Sequence, residues 1–416
     1  MNHSTIVLPL LLCTGLAAQR VVVVDAANGP GTDYTTLADA FAGLQNNDFV
    51  LVRAGTYTGL SATTGLSFVM VGEGDPTVEP APSAAAALTV TMNGSSYQRI
   101  AFRGMTFHSL TTGQWALNLR TNYNWWPAPT AEVEDCTIVS QSPVADRVSL
   151  LAESIGLTLQ RCTLGTSQLD SCLASIVACT ITGPDQSMSG PFSQHAQTAL
   201  DVIRSEVWIV DSTLTAGNSN NVYGSPASCI GFSEYSYTVT STVHVSGACT
   251  LTADQSPNTS WPAPFVFQNY QTWWPLPSAV DLEPGVALVA SPPLGITASA
   301  NVTIAVQTVP HLQASAAPLG GAWTCTAHGT GNDVAILVVA TASRGNVLLG
   351  MPLLMDTAQA VIADFGVVAA TGSCTFAPIP VPNDPLLFST VLQGTGVFLT
   401  PSGLLLGSNP VSGVLH

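Results

Sequence analysis

The chain has 416 residues, with 25 Asp and Glu against nine Arg and no Lys, for a formal charge of -16 at pH 7. That balance excludes electrostatic binding to nucleic acid or to an anionic membrane, and the missing lysines exclude Schiff-base chemistry and a phosphate-binding P-loop. Abundant Gly, Pro, Ser, Thr, Val and Ala with frequent turn signals indicate an all-β chain.

Residues 6–16 form an apolar run too short to span a bilayer, followed by small residues at Ala17 and Ala18. This is the pattern of a secretory signal peptide over residues 1–18, and it predicts a secreted or cell-surface protein. No later run reads as a transmembrane helix. A short strand at 21–25 and a turn at 28–34 lead to Thr36, which precedes Leu37, Ala38, Phe41 and Leu44 at helical spacing, with Asp39 placed to complete a cap. Strands are expected at 49–52, 66–71 and 87–91, with a turn at 54–59.

From residue 100 onward the chain repeats itself. IAFRGMTF (100–107), AEVEDCTI (131–138), LTLQRCTL (157–164), ASIVACTI (174–181) and VWIVDSTL (207–214) fit one template, and VHVSGACTL (243–251) fits with one extra residue. Apolar or small residues hold positions 1, 3 and 8, a turn-tolerant residue usually holds 5, Cys, Ser or Met holds 6, and Thr holds 7. A strand-turn-strand unit that cannot bury its own apolar face must stack on its copies, and stacking yields a solenoid. The phase slip at position 5 keeps positions 1, 3, 6 and 8 inward, and it turns Thr106, Thr137, Thr163, Thr180, Thr213 and Thr250 outward. Successive position-6 residues are 31, 26, 17, 33 and 37 apart. A full coil needs roughly 20 residues, so 17 means a tight rung and the larger values mean protruding loops. The competing architecture is a β-sandwich or jelly roll, in which the repeats are coincidental.

DYTTLADAF followed by DFVLVRAGTYTGL resembles the entry of right-handed parallel β-helix proteins of the pectin-lyase-like superfamily, over roughly residues 21–260. The resemblance implies a fold more than a reaction, because the same entry precedes lyases, hydrolases, esterases and proteins without known catalysis. The expected fold is all-β: a right-handed parallel β-helix with an N-terminal capping helix over residues 19–306, and a small C-terminal antiparallel β-sandwich over 307–416. Within the latter, PNDPLLFSTVL, Gln393 and the closing LLLGSNPVSG resemble the C-terminal β-domain of exported proteins of planctomycetes and related bacteria.

Eight Cys remain beyond the leader, and none has zinc spacing. Cys136, Cys162, Cys179 and Cys249 share template position 6 and read as packed interior residues, although pairing between rungs stays open. Cys325 and Cys374 stand alone in the C-terminal part, where an exported chain predicts a disulfide between them.

Two features stand outside the repeat. NYNWWPAP (122–129) and NYQTWWPLP (269–277) echo each other and, with a WPAP at 261–264, hold five of the eight Trp. Pro flanks would present Tyr123, Trp125, Trp126, Tyr270, Trp273 and Trp274 rigidly as platforms for sugar rings; the alternative is that they cover the solenoid or pack on the C-terminal domain. Segments 116–120, 149–153, 199–204 and 229–234 align as corresponding strands of successive rungs. That alignment puts Asn118, Arg120, Glu153, Asp201, Arg204 and Glu234 on one outer face, with His195 in a preceding loop.

The resemblance implies that a site would lie on such a face. There Asp201, Glu153 or Glu234 would neutralise a uronate carboxylate or hold Ca2+, and Arg204, Arg120 or His195 would act as base or anion stabiliser. A solvated face with ion pairs is the alternative. The motifs of polygalacturonases and the GxxDFIFG segment of pectin methylesterases are absent. The sequence therefore points to an exported protein recognising an extended polysaccharide, as a non-catalytic carbohydrate-binding or cell-surface structural protein. The alternative is a polysaccharide lyase acting by β-elimination on a uronate polymer, with Ca2+ as its cofactor. A self-capped solenoid gives no reason to oligomerise, so a monomer is expected.

Overall fold

Each template copy folds as two short strands around one left-handed residue. In a computed structural model of the chain, Asp135, Arg161, Ala178 and Asp211 at position 5 have φ of 52°, 51°, 53° and 50°, and Gly104 and Gly247 hold the same corner in the first and last copies. The corner reverses the phase as expected: Ala131, Val133, Cys136 and Ile138 are all buried. The described residues are 20–415 apart from 95–96, 111–113, 123–127, 141–148, 186–196, 220–226, 234–239, 255–264, 271–276, 291–297, 342–345, 349–350, 356–358, 385–386 and 388–389.

The strands build three parallel sheets. Sheet 1 has eleven strands, from Val21–Val24 to Val302–Val306; sheet 2 has nine, from Thr56–Thr58 to Ala287–Val289; sheet 3 has eight, from Leu60–Thr64 to Phe267–Asn269. Every pairing within them is parallel and in register from rung to rung, which is a β-helix and not a sandwich with chance repeats. The interior is one continuous apolar stack, including Phe68, Phe102, Phe107, Phe232 and Phe267. Parallel strands continue through residues 278–306, so the stretch before the C-terminal domain is solenoid.

Helix α1 (Leu37–Ala42) caps the first rung. Thr36 accepts the Asp39 amide at 3.1 Å and donates its hydroxyl to the Asp39 carboxylate at 2.6 Å, the reciprocal cap that the sequence suggested. Leu37, Ala40 and Leu44 are buried; Ala38 is exposed, because the helix turns its Ala40 face to the coil.

Sheet 2 carries the outward threonines. Thr56, Thr77, Thr106, Thr137, Thr163, Thr180, Thr213 and Thr250 occupy one column, each beside the next. A β-branched side chain suits this half-exposed pleated surface.

After Val306 the pairing becomes antiparallel, beginning with His311–Ala314. A four-stranded sheet ordered Val361–Val367, Val334–Ala340, Val391–Leu399, Leu405–Val414 and a three-stranded sheet enclose Trp323, Leu337, Phe398 and Val411. This sandwich lies against sheet 1. Val391 and Val414 pack on Phe49, Val69 and Ala101, Gln393 Nε2 donates to the buried Glu132 at 2.7 Å, and Ser175 Oγ donates to the Pro410 carbonyl at 2.7 Å. Asn409 holds both backbone groups of Leu312, at 2.7 and 3.0 Å. Gln393 and the Ser408-Asn409 pair, singled out in the sequence, are thus the polar joints of the domain and its docking.

All eight described cysteines are free thiols. The expected Cys325–Cys374 disulfide is absent because the two are out of register: Cys374 stands beside Ala327, two residues from Cys325. Diagonal neighbours lie about 7–8 Å apart, beyond ordinary disulfide reach. Burial pushes Cys136, Cys172, Cys249 and Cys325 up to about 12, whereas Cys374 is half-buried. The native protein should therefore show one maleimide-reactive thiol, removed by Cys374→Ser. Rapid labelling of several thiols would contradict this burial.

Candidate functional site

Sheet 1 is covered by the sandwich and sheet 2 by threonines, so sheet 3 is the solenoid face with varied chemistry. Its outward positions form two columns. One runs Asn118, Leu151, Gln168, Asp201, Gly231, Gln268; the other runs Thr91, Arg120, Glu153, Asp170, Ile203. Asn118, Arg120, Glu153 and Asp201 therefore do share one face. Arg204 sits at its edge, in a left-handed corner with φ of 48°.

The alignment of strands needs one correction. Segments 149–153 and 199–204 are not adjacent rungs, because Ser167–Asp170 lies between them. This is the tight 17-residue rung, and it brings two residues that sequence reasoning missed. Asp170 is the partner of Arg204, at 2.6 and 3.1 Å from its guanidinium, and Gln168 stands directly beside Asp201. His195, Glu234, Tyr123, Trp125, Trp126, Trp273 and Trp274 lie outside the described residues. The two WWP segments do connect the same pair of sheets: each follows a sheet 3 strand, Trp115–Thr121 or Phe267–Asn269, and precedes a sheet 1 strand.

Tyr270 joins the two features. Its ring lies over Gly231, where an added Cβ would stand 2.5 Å from Tyr270 Cε2; only glycine leaves room for that approach. Its hydroxyl reaches Ser228 Oγ at 2.8 Å, and burial of that end pushes its pKa up, while the residue as a whole stays 42% exposed. One side of the aromatic thus rests on the sheet, beside Asp201 in the same column. Asp201 accepts from Ser233 Oγ at 2.8 Å. Arg120 Nε donates to Thr91 Oγ1 at 3.2 Å. Asn118 is buried, and its Oδ1 has no hydrogen-bond partner among the described residues.

The charges on this face nearly cancel. Arg120 and Arg204 stand against Glu153 and Asp170, and Asp201 leaves a small negative excess. Six in-register positions from Asn118 to Gln268 span about 24 Å at the usual strand spacing, enough for an extended chain to lie across the rungs. Among the described residues, no group of three or more His, Cys, Asp and Glu converges as metal ligands.

A second cluster escaped the sequence. His244, on sheet 1, stacks on Trp208 at 4.9 Å and lies between Asp281 (2.9 Å) and Glu206 (3.4 Å). It borders a cavity of about 350 Å3, rimmed by Gln307, Val309, Pro310 and residues 404–407. Gln307 also donates to Asp281, at 2.8 Å. Burial opposes the charge on His244, but the two carboxylates outweigh it and raise its pKa, and Asp281 is held below its usual range by the His244 hydrogen bond. A raised His stabilises the fold below its unfolded pKa and loses this as pH rises; a lowered Asp stabilises above its unfolded pKa and loses this as pH falls. The cluster therefore contributes most between about pH 4 and 6.5. Melting curves should show His244→Gln least stable relative to wild type in that window, with the gap closing above neutrality. A constant gap from acid to alkaline pH would contradict the assignment.

Among the described residues, no helix is long and apolar enough to cross a membrane. No protein-family model and no curated protein matches the chain. Among solved structures, it is similar to pectin methylesterase PemA from Erwinia chrysanthemi, at 11% identity over 58% of this chain and 92% of that one, with a TM-score of 0.37. A pectin methylesterase in complex with hexasaccharide VII gives 12% identity, the same coverages and a TM-score of 0.38. Similarity at this level carries no residue-to-residue correspondence into sheet 3.

Proposed function

We propose that this is an exported, non-catalytic protein that binds a neutral, extended polysaccharide across the rungs of sheet 3. The observation that carries the reading is the Tyr270 ring seated on Gly231, beside a row of amide and carboxylate groups. An aromatic face with a polar edge, next to hydrogen-bonding groups at regular spacing, is the chemistry a chain of sugar rings offers to meet. The near balance of charge favours a neutral polymer: a polyuronate needs excess cations, and this face has a slight acidic excess. The residues 1–18 leader supports a location outside the cell.

The elimination reading needs Arg204 or Arg120 as a base. Arg204 is engaged by Asp170, and a carboxylate partner holds a guanidinium protonated, so binding is the stronger reading. Retention of the purified protein on neutral polysaccharides and on uronate polymers, with and without calcium, together with ultraviolet detection of unsaturated product, separates the two. Retention by a neutral polymer without product is expected. Unsaturated product from any uronate polymer, or failure to bind any neutral polymer, would overturn the proposal.

A further inference from the structure

The outer face of the four-stranded sheet is apolar. Strand Val334–Ala340 reads VAILVVA; Ala335, Leu337 and Val339 face the sandwich core, while Val334, Ile336 and Val338 face away from it. Register extends each of these into a row. Val367, Val334, Leu399 and Leu405 form one; Phe365, Ile336, Val397 and Gly407 form the next; Ile362 stands beside Val338. Phe365 is 71% exposed, Ile362 62%, Val367 61%, Leu399 38% and Leu405 37%. No charged side chain interrupts the rows. The acid on this edge strand, Asp364, pairs with Leu337 on the opposite face and accepts the Ala377 amide at 2.7 Å.

A strand that is apolar on both sides is ordinarily covered on both sides. The exposed part of these rows amounts to on the order of 600 Å2, at the top of what single chains usually display. Two such faces brought together would bury on the order of 1,200 Å2, which reaches the range of stable specific interfaces.

We propose that this face pairs with the same face of a second copy, so that the protein is a two-fold dimer, in contrast to the monomer expected from the sequence. The middle row is self-complementary in shape: it has its largest side chain, Phe365, at one edge and Gly407, with no side chain, at the other. A two-fold axis parallel to the strands, midway between two stacked sheets, exchanges the edges. Each Phe365 ring then lies over Gly407 of the other copy, and the four strands of each copy stack in aligned fashion at the usual separation of about 10 Å. The chain's charge of -16 opposes the approach of two copies, while the apolar rows are insensitive to screening, so salt strengthens the dimer.

Light scattering on the chromatographed full-length protein tests this. The wild type is expected to show twice the chain mass, with dissociation on dilution shifted to lower concentration by added salt. Phe365→Asp and, independently, Ile362→Asp should show the single-chain mass with unchanged circular dichroism. Val306→Asp, a substitution at a 66% exposed apolar residue on the last solenoid strand, should leave the dimer intact. A wild type with single-chain mass at every concentration would overturn the proposal, as would dimers that survive both face substitutions or dissolve with Val306→Asp.

Discussion

Replacing Phe102 with alanine should lower the unfolding free energy by about 3–5 kcal/mol. Phe102 is fully buried at the point where the N-terminal rungs meet the first complete template copy. Its ring stands edge-on to Phe68 at 6.0 Å and to Phe107 at 5.7 Å, and Phe68 in turn meets Phe41 of the capping helix at 5.5 Å. Edge-to-face pairs add to simple area burial, and the truncation breaks two of them while opening a cavity. Parallel backbone ladders on three sides restrain the rungs from closing on that space, so little of the loss is recovered. A solenoid's stability is a sum of rung and neighbour terms, so the damage should concentrate in the N-terminal rungs and loosen α1 first. Denaturant unfolding with hydrogen exchange measures both effects. A loss below about 1 kcal/mol would mean that the aromatic chain is not the core of these rungs.

Polysaccharide binding should fall about tenfold in Tyr270→Ala, the equivalent of ~1.4 kcal/mol. The ring is presented at little entropic cost, because Gly231 supports one face and Ser228 fixes the hydroxyl. Gly231→Val should weaken binding to a similar degree while leaving Tyr270 in the chain, since the new side chain would take the ring's place. Asp201→Asn should separate the roles of shape and charge: affinity for a neutral polymer is retained, and affinity for a uronate polymer rises as a repulsive carboxylate is removed. Affinity electrophoresis of the three variants reads all of these outcomes. Unchanged migration of Tyr270→Ala in the polymer that retards the wild type would remove the platform from the account.

The solenoid was legible in the sequence because its rules are local. One residue at position 5 must turn left-handed, so the phase slip from Val133 to Cys136 is written in eight consecutive residues, and register follows from repeating it. Helix α1 was legible for the same reason, through Thr36 and Asp39. The site was legible only in part. Asn118, Arg120, Glu153 and Asp201 line up because outward positions of a sheet alternate, but the strand Ser167–Asp170 has only four residues and opens on Ser and Gln, so it carries no apolar signal of its own. Gly231 gave no sign of its role, since a close approach by a ring 39 residues later leaves no local mark. His244, Glu206 and Asp281 meet only through stacking of three rungs. The docking of the sandwich on sheet 1 had a signal that went unread: strands such as LASIV and EVWIV are apolar on nearly every residue, which is the pattern of a sheet covered on both faces. Cys325 and Cys374 show the converse limit, because their separation depends on a two-residue offset in register.

The central claim is that the ligand lies across sheet 3, and hydroxyl-radical footprinting of the protein with and without its retained polysaccharide tests it most directly. Protection is predicted at Tyr270, Gln268, Asp201 and Gln168, with the sheet 2 threonines and the outer face of the sandwich unchanged. Protection of the Thr163, Thr180 and Thr213 column with Tyr270 left open would contradict it.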